Sequence, residues 1–231
     1  EKSKKVLTNE TKNILGKCIN PSLKQSKNSN TGTVIGYVQS GKTTSFNALA
    51  MLALDNDFRL IIVLGGRNKN LLRQNINEFE LNLDSMIDNG EVKLPTNEFI
   101  KDIGNIKFKY LETNHQDFPS IPIVTVHLKH QQHIRKLTNM INEKKGILNS
   151  TNVLIIDDEA DSASLNAKAN TEDYNETAVY GAIKDLRKSL NCHSYVQYTA
   201  TPQAILLISR SDLMSPDWVR FISVSYTHLR A

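Results

Sequence analysis

Gly36-Tyr37-Val38-Gln39-Ser40-Gly41-Lys42-Thr43 constrains this chain more than any other stretch, because it fits G-x-x-x-x-G-K-[ST], the phosphate-binding loop. The strand-like run Thr33-Val34-Ile35 leads in, and a helix-like run from Thr43 to Leu54 leads out. That strand–loop–helix context is what the motif demands. From the chain's own Gly, Lys and Ser plus Thr frequencies, an accidental match would arise in roughly one such chain in two hundred. In such a loop the backbone N–H groups converge on phosphate oxygens, aided by the positive end of the following helix. Gly36, Gln39, Ser40, Gly41, Lys42, Thr43 and Thr44 are therefore the candidate binding residues. Lys42 would reach the β- and γ-phosphates of a nucleotide such as ATP, and the Thr43 hydroxyl would sit on Mg²⁺.

The pattern around the loop predicts an α/β fold. Phe46, Leu49, Ala50, Ala53 and Leu54 form one apolar helix stripe. Leu60-Ile61-Ile62-Val63-Leu64 and Val153-Leu154-Ile155-Ile156 are unbroken apolar runs, which suit parallel strands covered on both faces. Ile123 to Val126 and Tyr195 to Tyr198 are further strands, and Ile106, Phe108 and Tyr110 alternate as a half-exposed one. Helices are expected from about Asn70 (Leu72, Ile76, Phe79), from Lys129 to Glu143 (Ile134, Leu137, Ile141) and around Val179, Ile183, Leu186 and Leu190. Strands alternating with amphipathic helices imply a mostly parallel central sheet flanked by helices.

Charge is unevenly placed. The net +4 of these 231 residues sits in residues 1–29, which hold seven Lys and two Glu and leave the remainder at −1. The basic balance therefore gives no sign of a nucleic-acid groove in the body. Residues 1–29 read as a basic segment, with a short helix through Thr11-Lys12-Asn13-Ile14-Leu15 and a linker from Ser22 to Asn30. The main domain is expected over 30–224. No apolar run is long enough to span a bilayer and no leader is expected. Cys18 and Cys192 form no framework, so a reduced, cytoplasmic setting is expected. The chain opens on Glu1 and not Met, and reads as a fragment.

The acidic cluster Asp157-Asp158-Glu159-Ala160-Asp161 closes a buried strand, which is how phosphate-loop enzymes hold Mg²⁺ and position water. Asp158 would hold Mg²⁺, largely through water. Glu159 would orient the attacking water and accept its proton, with Asp157 and Asp161 in support. A solvated acidic helix start is the bland alternative, and the phosphate loop makes it the weaker one. At the end of the next strand, the Thr199 and Thr201 hydroxyls could hydrogen-bond this cluster, and Pro202 then diverts the chain.

The series GYVQSGKT, LIIDDEAD and YTATP resembles the first RecA-like domain of superfamily-two helicases and translocases. More narrowly, VQSGKTTSFNALA, LIIDDEADSAS and YVQYTATPQA are similar to the Z-one domain family, helicase-like ATPases filed as endonucleases and associated with bacterial restriction and defence loci. The likeness covers roughly residues 10–222 with the three motifs in order. It implies a RecA-like phosphate-loop domain that uses ATP and Mg²⁺ and acts on DNA, with defence proteins as partners. It also implies a second RecA-like domain, beyond this chain, that supplies an arginine. Carried over, Gly41, Lys42 and Thr43 bind phosphate and Mg²⁺, Asp158 and Glu159 serve metal and water, and Thr199 and Thr201 couple nucleotide to nucleic acid. Tyr37, Gln197 and Gln203 depart from the common family residues, which bears on fine specificity and not on nucleotide binding.

A second class stays open at this point: an ATPase that binds nucleotide as a switch and never moves on DNA. A nuclease would need a site elsewhere. Glu91-Val92-Lys93 is half of a metal-nuclease pattern whose acidic partner lies too close. His127, His130 and His133 recur at a spacing that turns the outer two apart on a helix, so they are not read as a metal site. Ser225 to Ala231 resembles translated adapter sequence and is read as a non-native tail.

Overall fold

In a computed structural model of the chain, the described residues are 2–22, 28–36, 41–66, 69–89, 122–143, 148, 151–163 and 177–222. Gln39 and Ser40 of the loop, the expected strand at 106–110, Glu91 and Lys93, and the closing 225–231 lie outside them. Helix α1 spans Lys2–Leu15, β1 Asn28–Ile35, α2 Lys42–Leu54, β2 Leu60–Leu64 and α3 Lys69–Asp88. Strand β3 spans Ile123–His127, α4 Gln131–Glu143, β4 Asn152–Asp157, α5 Ala160–Ala163, α6 Ala178–Lys188, β5 Cys192–Thr199, α7 Gln203–Leu206 and β6 Trp218–Phe221.

The strands form one six-stranded sheet in the order β3-β2-β4-β5-β1-β6, and every pairing in it is parallel. Alternation within each strand explains the unbroken apolar runs. Leu60, Ile62 and Leu64 of β2 enter a core cluster with Ile134, Leu137 and Ile141 of α4 and Ile183 and Leu186 of α6. Ile61 and Val63 enter the opposite cluster, with Phe46, Leu49 and Ala53 of α2 and Leu72, Ile76 and Phe79 of α3. Both faces must be apolar because both are covered. Each such side chain, fully withdrawn from water, contributes roughly 1.5–3 kcal/mol.

Two elements reach further than their apolar patterns. Strand β1 begins at Asn28, well before Thr33, because its polar first half pairs with β5 from Asn28↔Cys192 onward. Helix α1 extends back to Lys2, and its Ile14 is 1% exposed within the α2 and α3 core. Ser45 and Asn47 of α2 are buried along with the apolar stripe, Ser45 against the Tyr198 hydroxyl of β5 and Asn47 against Glu78 of α3. At Gly32, paired with Trp218 of β6, an added Cβ would lie 1.9 Å from the indole, so only glycine admits that ring. The α/β architecture expected from the sequence is the one the chain adopts, with a sheet that is parallel throughout its described strands. No described helix is long and apolar enough to cross a membrane.

Candidate functional site

The carboxyl ends of parallel strands are where open α/β sheets bind ligands, and the three motifs converge on that edge. Strand β1 ends at Ile35, and Gly36 continues its ladder by donating its N–H to the Thr199 carbonyl of β5 at 3.0 Å. Gly41 caps α2 at φ 78°, in the left-handed region that glycine reaches without strain. Among the described residues no side chain caps α2 there, which suits a helix start that meets an anion. Lys42 turns back across the loop, and its Nζ donates to the Gly36 carbonyl at 3.1 Å. Thr43 and Thr44 occupy the first turn of α2, half-buried. Beside them, Gly41, Thr44, Asn47 and Met51 face Arg73 and Gln74 of α3 across a groove of about 1270 Å³.

The acidic cluster divides into three environments. Asp157, the last residue of β4, is fully buried. Its carboxylate accepts the Tyr195 hydroxyl and pairs with Lys129 Nζ at 2.5 Å. Asp158 extends the β4–β2 ladder, donating its N–H to the Leu64 carbonyl at 3.0 Å. Burial pushes its carboxyl up to about 6, even though Lys129 pulls it down. Glu159 is exposed and sits at φ 51°, a left-handed conformation rare for a residue with a Cβ, and its N–H donates to Asp158 Oδ1 at 3.0 Å.

Asp161, in α5, faces the end of β5. Thr199 Oγ1 donates to its Oδ1 at 2.6 Å, and Thr201 Oγ1 donates to its Oδ2. Burial alone would raise the Asp161 carboxyl, but the two hydroxyls, its own backbone N–H and Lys129 together hold it below the usual carboxylate range. The acidic and hydroxyl motifs, distant in sequence, are thus bonded to each other.

The donor set fits Mg²⁺ of the kind that phosphate-loop sites use. Asp158 is an acid held up by burial, which a nearby cation would bring back down. No described group of three or more His, Cys, Asp and Glu could hold a metal alone, and Mg²⁺ with substrate phosphates takes one or two protein oxygens, not a dedicated cage. The three histidines do not share a helix: His127 ends β3, His130 precedes α4 and His133 lies within it. The His127 ring is buried against the Thr125 hydroxyl at 2.9 Å, and burial lowers it to about 3.

Two buried residues escaped the sequence reading. Lys129 stands in the loop after β3, not at the start of a helix, and is 4% exposed. Tyr195 gives its ring to the core and its hydroxyl to Asp157. A lone Lys between an apolar strand and a polar helix carries the signature of a solvated turn, and nothing in its neighbours betrays a partner near position 157.

Fold and edge together define a class: a parallel α/β domain in the RecA-like arrangement. A phosphate-loop sequence leaves β1, carboxylates leave β4, and hydroxyls leave the strand between them. No protein-family model matches the chain, and no curated protein matches it. Among solved structures it is similar to the crystal structure of the Pyrococcus furiosus Hef helicase domain, with a TM-score of 0.49 and 15% identity over 91% of this chain and 37% of that one. The chain therefore spans about 37% of the length of that structure. The narrower likeness to the Z-one family stays with the three motifs.

Proposed function

We propose that this chain is the ATP-binding lobe of a Mg²⁺-dependent, helicase-like ATPase that acts on DNA, of the bacterial restriction or defence type that the Z-one motifs suggest. The observation that carries the reading is the double hydroxyl link of Thr199 and Thr201 to Asp161, beside the phosphate-loop sequence. An acidic helix start that served only solubility would have no need of two hydroxyls from the end of β5 and the turn after it.

In this reading Lys42 leaves the Gly36 carbonyl and takes phosphate oxygens, an exchange of a neutral acceptor for a charged one. The Thr43 hydroxyl and the Asp158 carboxylate would hold Mg²⁺, which when bound neutralises charge on the β- and γ-oxygens. Glu159 orients water and accepts its proton. Gln39 and Ser40 belong to the same loop by sequence. Asp161, Thr199 and Thr201 pass the nucleotide state toward DNA, and a second RecA-like domain supplies the remaining arginine.

Titrating a labelled ATP analogue into wild type and Lys42→Ala tests the core of this. A loss of about tenfold or more in affinity is expected, as removal of a charge-assisted phosphate contact gives. Equal affinities would refute it.

A further inference from the structure

Lys129 is a buried cation that the proposed chemistry leaves without a role. Moving an ammonium out of water is costly unless a counter-charge and strong acceptors replace the water. Here three oxygens surround it: the Asp157 carboxylate forms an ion pair at 2.5 Å, and the ammonium donates to the Asp158 carbonyl and to the Glu159 carbonyl at 3.0 Å. An ion pair alone would need only the first. The other two are consecutive main-chain carbonyls, and they belong to the residues whose side chains are assigned to metal and water. Between them the backbone takes the left-handed turn at Glu159, φ 51°. For a residue with a Cβ such a turn is disfavoured and persists where the surroundings over-determine it.

The root of the clamp is fixed as firmly as its head. The Lys129 N–H donates to the Gly66 carbonyl at 3.0 Å, and the Gly65 N–H donates to the His127 carbonyl at 3.0 Å. Strand β2 lies between β3 and β4. The side chain therefore leaves the loop after β3, passes the carboxyl end of β2, and reaches the turn after β4.

We propose that Lys129 is a positioning residue, whose ammonium clamps the Asp158–Glu159 backbone in the left-handed turn that presents both carboxylates to the phosphate loop. The proposal rests on the reading of Asp158 and Glu159 given above. It gives Asp157 a part distinct from its neighbours: a buried counter-charge that holds the clamp and stays away from the ligand.

Lys129→Met alone strands a buried carboxylate and can unfold the chain. The test variant is therefore Lys129→Met with Asp157→Asn, which removes both charges and keeps an acceptor for the Tyr195 hydroxyl. The first measurement is amide hydrogen exchange without metal or nucleotide. Exchange at Glu159 and Ala160 should quicken by about tenfold or more, while Leu154 and Ile155 within β4 keep their protection. The second compares binding of a labelled ATP analogue with and without Mg²⁺. The Mg²⁺-dependent gain should fall by about tenfold, as removal of a residue that orients a metal ligand gives, and Mg²⁺-free affinity should hold.

Wild-type exchange at Glu159 overturns the clamp, and so does a loss of protection spread through all of β4, which marks a structural role only. A retained Mg²⁺ gain overturns it even if the turn loosens. A wild type that binds no analogue, or binds it equally after Lys42→Ala, overturns the nucleotide reading instead. The exchange experiment uses neither ligand and then decides the clamp by itself.

Discussion

The Arg187 guanidinium lies 4.6 Å from the centroid of the Tyr195 ring, and the Tyr195 hydroxyl donates to the Asp157 carboxylate. Arg187 also donates to His193 Nε2 at 3.1 Å, to the Leu213 carbonyl at 2.5 Å and to the Thr31 hydroxyl at 2.9 Å. A buried polar chain thus runs beneath the sheet on the α6 face, from Arg187 through Tyr195 and Asp157 to Lys129. Burial pushes the guanidinium down to about 10, so the cation is held at a cost that these acceptors offset.

Arg187→Ala should therefore leave a void and strip the buried His193 ring of its donor, and lower stability by about 2–4 kcal/mol. Arg187→Lys should restore little, since a point ammonium cannot reproduce the planar fork. Urea unfolding midpoints check this, and a loss below about 1 kcal/mol for the alanine variant would refute it. Nucleotide affinity of the folded variant should be unchanged, because Arg187 contacts β1 and β5 well before their carboxyl ends.

Asp158 predicts a pH dependence. Its carboxyl is raised by burial to about 6 from 3.8, so the folded chain binds this proton more tightly than the unfolded chain. The resulting stabilisation is fully present below about pH 4 and is lost as pH rises through about 6. Asp158→Asn removes the term. At pH 7 its melting temperature should exceed that of wild type by roughly 2–4 °C, the shift that 1 kcal/mol gives in a domain of this size. Below pH 4 the two should coincide. A gap that widens on acidification would contradict the assignment.

Glu159→Gln should separate binding from turnover. The amide keeps the shape of the side chain and loses its basicity. ATP-analogue affinity should stay within about threefold, while hydrolysis by a protein carrying the proposed second domain drops by about 10²–10⁴. Unchanged steady-state turnover removes Glu159 from the role.

Residues 1–231 alone should bind nucleotide and hydrolyse it poorly. Arg187 is buried under the sheet, and Arg59 is engaged with Asp57 at 2.6 Å. Neither is placed to meet a γ-phosphate, and an arginine brought in from outside the loop is worth about 10³–10⁵ in rate. Phosphate release by this chain should fall short of that of a protein carrying the proposed second RecA-like domain by at least about 10³. Comparable rates would mean that the site is complete here.

Local patterns made much of this legible. The α2 stripe, the apolar strands and the loop motif are period and composition signals, and Phe46, Leu49, Ile61, Leu154 and Ile155 lie in the core they imply. The contact of Asp161 with Thr199 was legible because both motifs end adjacent parallel strands, β4 and β5. Lys129 was not, because its three acceptors lie beyond an intervening strand. The polar half of β1 was missed for a related reason. Asn28 to Thr31 gain their order from the β5 ladder and not from their own side chains.

Thr199 holds both flanks of the edge: its carbonyl takes the Gly36 N–H, and its hydroxyl goes to Asp161. Such a residue behaves like a shared bearing. A displacement of the glycine lip tugs the same peptide that the acidic turn hangs on, so slack cannot accumulate on one side without loading the other. Wear at this single joint, a lost hydroxyl for instance, would leave two sound halves that no longer move in step.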